Sequence, residues 1–327
     1  MLTLPTAPDR VRAERPAYRP YRVAVRAVAE LSPTFRRVTF TGDELDVFGS
    51  ACLDQRIKVI FPHEADDAPR GFDHLGVFDP DCIAQGAWYD RWRALPEELR
   101  NPFRTYTVRA VRQQQREIDV DFALHGDAGP ASRWANRARP GDELVVVGPD
   151  DLSAGRLVGI DWRPGGCGEL LLVGDETAVP AVCGILESLG DEVRATAFLE
   201  VPEPGDVLDV RLAPGHELTW LPRGGRERGA ELVEQVRGWV AEHRHIVTPD
   251  AAAAVRPGAS VALDESDVEA GLVWDAPDGA HDGFYAWIAG ETSTVVTLRR
   301  HLVREVGVDR SRVAFMGYWR RGRAELS

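Results

Sequence analysis

Arg104-Thr105-Tyr106-Thr107-Val108-Arg109 sets cations, an aromatic ring and hydroxyls at alternating positions of a strand-like stretch. These residue types suit a flavin. Its isoalloxazine ring takes an aromatic face, its redox-active edge takes a fixed hydrogen-bond donor, and its phosphates take a guanidinium. A period of two predicts Arg104, Tyr106 and Val108 on one face and Thr105, Thr107 and Arg109 on the other. In isolation the same alternation describes any half-buried strand, so the reading needs a second element.

That element follows one strand later. Asp121-Phe122-Ala123-Leu124-His125-Gly126 reads as a strand end, and Gly129-Pro130-Ala131-Ser132-Arg133-Trp134-Ala135 as a helix start. Gly129 permits close backbone approach, Pro130 suits the first helical position, and Ser132 adds a hydroxyl where free N–H groups and the helix dipole converge. A pyrophosphate fits such a place, and so does a capped helix start with no ligand. The order of the two segments favours the first reading, with one holding a flavin ring and the next its diphosphate. His125 is either a flavin contact or a structural histidine.

The elements that must position these residues read as six short strands: Tyr21 to Val28, Phe35 to Thr41, Arg56 to Phe61, Arg104 to Ala110, Glu117 to Leu124 and Glu143 to Gly148. They suggest a small barrel. Pro62 to Pro102 interrupts it with a short helix carrying Trp88, Trp92, Leu95 and Leu99 at helical spacing. Arg56 and Lys58 share one strand face, solvated unless a ligand sits opposite. From Glu169 the pattern changes to alternating strand and helix, with strands at Leu170 to Val173, Ala195 to Leu199, Phe284 to Ala289 and Val313 to Tyr318. That pattern predicts an open α/β sheet, with ligands beyond the carboxyl ends of its strands. The turn Gly174-Asp175-Glu176-Thr177-Ala178-Val179-Pro180 is not a G-x-G-x-x-G fingerprint, and its two carboxylates would repel a diphosphate. Glu200 ends the second of these strands, where an acid favours an NAD ribose, while Arg211 and Arg223 nearby could meet a 2′-phosphate.

Composition narrows the function classes. A chain of 327 residues should hold about two domains. A net charge of −13 argues against a general nucleic-acid or anionic-membrane surface. No apolar run approaches the ~18 residues of a membrane span, and no secretory signal opens the chain, so a cytoplasmic protein is expected. Cys52, Cys82, Cys167 and Cys183 lie too far apart for a metal or iron-sulfur pattern, so no metal site is expected and redox chemistry must come from an organic cofactor.

Together these motifs resemble the siderophore-interacting proteins, flavin-dependent ferric-siderophore reductases of the ferredoxin-NADP reductase-like superfamily. Besides the two segments above, the likeness rests on Gly174 to Ala181, Trp287-Ile288-Ala289-Gly290-Glu291 and Gly317-Tyr318-Trp319-Arg320. It implies a β plus α/β fold: an N-terminal six-stranded antiparallel FAD-binding barrel at 21–165, then an open parallel α/β nicotinamide-binding domain at 166–327. A flexible arm is expected at 1–20 and a long excursion at about 245–282, where the family has a shorter link. The resemblance implies FAD bound by Arg104, Thr105, Tyr106, Thr107, Arg109, Phe122, His125, Gly129, Ala131 and Ser132. In it Tyr106 lies against the isoalloxazine, Thr107 is hydrogen-bonded to it, and Arg104 is near the phosphates. It places NADH or NADPH around Asp175, Thr177, Glu291, Tyr318 and Trp319. An anionic ferric siderophore would meet Lys58 and Arg133.

The chemistry expected is hydride transfer from NAD(P)H to FAD, then single-electron transfer to Fe(III), with no side-chain nucleophile or general base. Two alternatives stand beside it: a general flavin reductase with a protein or quinone acceptor, and a non-catalytic siderophore-binding module. A separate protein, such as a reduced ferredoxin, is an alternative electron donor.

Overall fold

The computed structural model describes residues 11–63, 69, 71–126, 129–248, 273–277 and 282–322, in two compact units that divide between Ile160 and Asp161. In the first unit, alternating apolar residues build β1 (Tyr18–Glu30), β2 (Phe35–Thr41), β3 (Arg56–Ile60), β4 (Phe103–Arg112), β5 (Glu117–Ala123) and β6 (Glu143–Pro149). They form a closed antiparallel barrel in the order β1-β2-β5-β4-β3-β6. Closure leaves no unpaired strand edge. Val38, Phe40, Ile57, Val59, Val108, Val120, Phe122, Leu144 and Val146 are buried in one core.

The N-terminal arm is shorter than the sequence suggested. β1 begins at Tyr18, and ahead of it Ala13 N donates to Leu152 O at 2.9 Å while Ala154 N donates to Ala13 O at 3.0 Å. The prolines end regular structure there without freeing the chain, because these backbone groups pair with residues after β6. Residues 1–10 lie outside the described residues.

Between β3 and β4 the expected helix is two short ones, α1 (Pro80–Gln85) and α2 (Trp88–Ala94). Trp92 packs edge-on against Phe103 with centroids 4.9 Å apart, and its Nε1 donates to Asn101 O at 2.9 Å. Asn101 Nδ2 in turn donates to Phe61 O at 2.8 Å, so the excursion is anchored to the strands that carry the candidate site. After β5 comes α3 (Pro130–Arg137).

The second unit holds β7 (Gly166–Gly174), α4 (Val179–Ser188), β8 (Arg194–Val201), β9 (Glu217–Pro222), α5 (Ala230–Glu242), α6 (Arg244–Val247), β10 (Trp274–Asp275), β11 (Asp282–Glu291), α7 (Thr292–Arg299) and β12 (Val313–Trp319). The sheet order is β10-β12-β11-β7-β8-β9. Leu170, Leu171, Leu172 and Val173 are all buried, as a strand covered on both faces requires. Leu171 and Val173 share a core with Leu232 and Val236 of α5 and Val295 and Leu298 of α7.

Two strands were missed in the sequence. β9 pairs parallel to β8 as an edge strand, and its partly exposed side chains hide it among polar residues. β10 pairs antiparallel to β12, so the sheet is mixed at one edge rather than wholly parallel. β10 and α6 fall within the expected excursion, and 249–272 and 278–281 lie outside the described residues. The junction also shifts, because Tyr285 Oη donates to Asp161 O at 3.2 Å and Trp162 packs on the Tyr285 ring, which places 161–165 with the second unit.

Candidate functional site

In the barrel, the β3/β4 register pairs Ile57 with Tyr106 and Lys58 with Thr105. Strict alternation therefore holds from Arg104 to Val108, with Tyr106 and Lys58 on opposite strand faces. A bulge between Val108 and Ala110 then breaks it at Arg109. Tyr106 is half-buried, with its ring 4.5 Å from Phe122 and 6.5 Å from Phe61. Phe122 is fully buried behind it. Phe122 backs the Tyr106 ring from inside the barrel.

The same two phenylalanines hold α3. Trp134 lies 5.8 Å from Phe122 and 5.7 Å from Phe61, centroid to centroid, and stacks on Phe40 at 6.0 Å. Tyr106 and the start of α3 are therefore fixed by one aromatic cluster. Gly129, the residue before α3, is extended and gives no side-chain cap, and a Cβ there would meet nothing within 4 Å. Pro130 stands at the first helical position, where its lack of an N–H costs no hydrogen bond. Ser132 is nearly buried, and its Oγ accepts from His125 N at 3.3 Å, tying the strand end to the helix. His125 itself is exposed, Ala131 is buried and Arg133 is half-buried.

Several expected contacts have protein partners. Arg104 donates to Phe103 O at 2.6 Å. Arg109 lies 3.7 Å from Asp121, a buried carboxylate that also takes two hydrogen bonds from Arg37 at 2.7 and 2.8 Å. The bulge sets Arg109 beside this barrel-wall pair. Lys58 Nζ donates to Thr105 Oγ1 and sits 5.3 Å above the Phe103 ring. Thr107 is buried.

In the second unit, parallel pairing brings the carboxyl ends of β7, β8, β9, β11 and β12 to one edge of the sheet. The strand order reverses between β7 and β11, and Asp175 occupies that point. Its Oδ1 accepts from Thr177 N at 2.9 Å and from Thr177 Oγ1, and its Oδ2 accepts from Glu291 N and Trp319 Nε1, both at 2.8 Å. Gly290, with φ +148°, leaves room for it, since a Cβ there would come within 2.8 Å of the Asp175 carboxyl carbon. Burial and the neighbouring Glu176 push the Asp175 carboxyl up to about 6, against the pull of the Thr177 and Trp319 hydrogen bonds. Glu291 caps α7, accepting from Ser293 N at 2.6 Å and Thr294 N at 3.3 Å.

The structure thus gathers Asp175, Thr177, Glu291 and Trp319. Tyr318 stacks on Trp274 with centroids 5.9 Å apart. Both carboxylates are buried and hydrogen-bonded within the protein.

Sequence reasoning missed the ion network beside them. Arg223 donates to Glu200 at 2.8 Å and lies 3.4 Å from Glu176, while Arg228 pairs with Glu176 and stacks over Trp319 at 4.8 Å. Arg228 carries no recognisable motif. Trp134 was legible only as an apolar residue on the motif-bearing helix.

Residues 24–152 match the siderophore-interacting FAD-binding domain and residues 168–322 the siderophore-interacting protein family. The siderophore-interacting protein SipS of Aeromonas hydrophila superposes with a TM-score of 0.61 at 30% identity, covering 94% of each chain. The chain belongs to the siderophore-interacting protein family. It is 29% identical to the ferric vibriobactin reductase ViuB of Vibrio cholerae, over 90% of this chain and 87% of that one. It is also 29% identical to the NADPH-dependent ferric-chelate reductase of Escherichia coli, over 72% and 82%.

As a member of this family the protein is an FAD-dependent oxidoreductase using NAD(P)H. The barrel residues fit FAD: a half-exposed tyrosine ring with rigid support, and an uncapped helix start with open space at Gly129. Among the described residues no helix is long and apolar enough to cross a membrane, and no group of three or more His, Cys, Asp or Glu could hold a metal ion.

Proposed function

We propose that this protein is a ferric-siderophore reductase of the cytoplasm, taking electrons from NAD(P)H and releasing Fe(II) for iron assimilation. The observation that carries the proposal is the shared aromatic cluster, in which Phe61 and Phe122 fix both the Tyr106 ring and the α3 start. One rigid body would then hold a planar ring against Tyr106 and a diphosphate at Gly129–Ser132. Relatives named as reductases of ferric vibriobactin and of ferric chelates support the choice of acceptor.

FAD, when bound, joins a two-electron hydride donor to a one-electron ferric acceptor. The protein's residues supply position and charge. Tyr106 would lie against the flavin ring, and the α3 start would hold the diphosphate by dipole and hydrogen bond. Lys58, which donates to Thr105, would bring positive charge to an anionic iron complex, and Arg133 would add a second cation from the first turn of α3. Fe(II) is then held weakly by hard oxygen ligands and leaves. One hydride supplies electrons for two ferric ions.

Incubating the FAD-loaded protein anaerobically with NAD(P)H, a ferric siderophore and a colorimetric Fe(II) chelator tests the proposal. Two Fe(II) per coenzyme oxidised is expected. Bleaching by NAD(P)H with quinone reduction but no Fe(II) would transfer the reading to a general flavin reductase.

A further inference from the structure

The end of the second parallel strand decides which coenzyme such a sheet accepts, because a carboxylate there suits a ribose 2′-hydroxyl and a free arginine suits a 2′-phosphate. Both types are present here. Glu200 ends β8, and Arg223 follows β9 directly, its N donating to Val201 O at 2.8 Å. From the sequence either could dominate, and the geometry separates them.

Arg223 Nη1 donates to Glu200 Oε1 at 2.8 Å and lies 3.4 Å from Glu176 Oε2. Arg228 Nη1 donates to Glu176 Oε1, and Gly229 N donates to Glu200 Oε2 at 2.8 Å. Glu176 is 0% and Glu200 1% exposed. Burial alone would raise the Glu176 carboxyl, but Arg228 and Arg223 outweigh it and hold it below the ordinary carboxylate range. Two carboxylates and two guanidiniums therefore form a neutral quartet whose negative members are inside. Drawing Arg223 or Arg228 outward would strand a buried carboxylate, which is far costlier than losing a surface ion pair. The cavity lined by Asp175, Glu200, Arg228 and Gly229 is about 10 Å³, room for roughly one water, so no phosphate enters among them. Of the neighbouring cations, Arg226 is committed to Pro222 O, Arg223 O and Glu231, and Arg211 is exposed on the connection between β8 and β9.

We infer that the coenzyme is NADH, and that the Glu176–Arg228 and Glu200–Arg223 pairs select it by withholding Arg223 and Arg228 from a 2′-phosphate. The inference rests on the nicotinamide-dependent reading of the protein. It also departs from the NADPH dependence in the name of the Escherichia coli relative.

The test uses the full-length FAD-loaded protein. Calorimetric titration with ADP-ribose and with 2′-phospho-ADP-ribose measures the preference without turnover, and anaerobic flavin bleaching by NADH and NADPH measures it with turnover. We expect ADP-ribose to bind at least tenfold more tightly and NADH to bleach at least tenfold faster. Glu200→Gln removes one buried charge and releases Arg223, so the gap should narrow several-fold. Equal or tighter binding of the 2′-phosphorylated probe would overturn the inference and point to Arg211. A tenfold gap that Glu200→Gln leaves unchanged would overturn the role of the quartet. Failure of both nucleotides to bind or bleach would overturn the inference together with the nicotinamide reading, which separates that failure from a mere reversal of preference.

Discussion

Trp319 Nε1 donates to Asp175 Oδ2 at 2.8 Å, joining the end of the last strand to the turn after β7 across 144 positions of sequence. The same oxygen takes Glu291 N, so one carboxylate ties three strand ends together. Its ionisation is linked to folding. The carboxyl is raised from 3.8 to about 6, so between these values the folded chain holds a proton that the unfolded chain has released. The site therefore loses stability as pH rises through that window and regains it on acidification. Glu176, held low by Arg228 and Arg223, and Asp119 on β5, held low by two 2.7 Å hydrogen bonds from Arg112, resist the effect of burial; they act in the opposite sense and lose their stabilisation as pH falls through their folded values. Tryptophan fluorescence should show a transition near pH 6 that is absent in Asp175→Asn. An asparagine can satisfy only one of the two donor pairs, so the variant should also lose about 1–3 kcal/mol in urea unfolding at pH 7.

Gly129→Asp should separate helix stability from cofactor affinity. An aspartate before α3 caps free amides and stabilises the helix by a few tenths to about 1 kcal/mol, but its charge opposes a diphosphate at the same amides. The melting temperature of the cofactor-free protein should hold or rise while the FAD dissociation constant increases at least tenfold. Unchanged FAD affinity would remove the diphosphate from this helix.

Tyr106 and Phe122 should fail in different ways. Tyr106→Leu leaves the core intact, so unfolding should change little while FAD binding weakens about tenfold, in line with an aromatic contact worth ~0.5–1.5 kcal/mol. Phe122→Ala opens a core cavity and should cost about 3–5 kcal/mol of stability. Paired urea and FAD titrations check both outcomes.

Much of this division was legible in the sequence. The alternation of Phe35 to Thr41 marked a barrel strand, and the apolar run at Leu170 marked a strand covered on both sides. β9 was not legible, because an edge strand exposes half its residues and Glu217-Leu218-Thr219-Trp220 looks like a loop. At the site, residue types were readable while their partners were not. No local pattern announces that a bulge sets Arg109 by Asp121 or that Arg228 reaches Glu176. Pairings across long sequence separations depend on sheet order, which local periodicity does not encode.

Lys58→Met should act on substrate charge. Removing a half-buried cation beside Thr105 should raise KM for an anionic ferric siderophore several-fold and leave a neutral one nearly unaffected. Added salt should weaken the wild-type preference in the same direction. Steady-state kinetics with the two siderophore classes decides it.

The central claim is electron delivery to a ferric siderophore. Its most direct test is an anaerobic stopped-flow mix of the FAD-loaded, prereduced protein with an anionic ferric siderophore, following flavin absorbance while a chelator traps Fe(II). Flavin reoxidation with two Fe(II) formed per flavin is expected. Binding of the ferric complex without reoxidation or Fe(II) would contradict it and make the protein a siderophore-binding module.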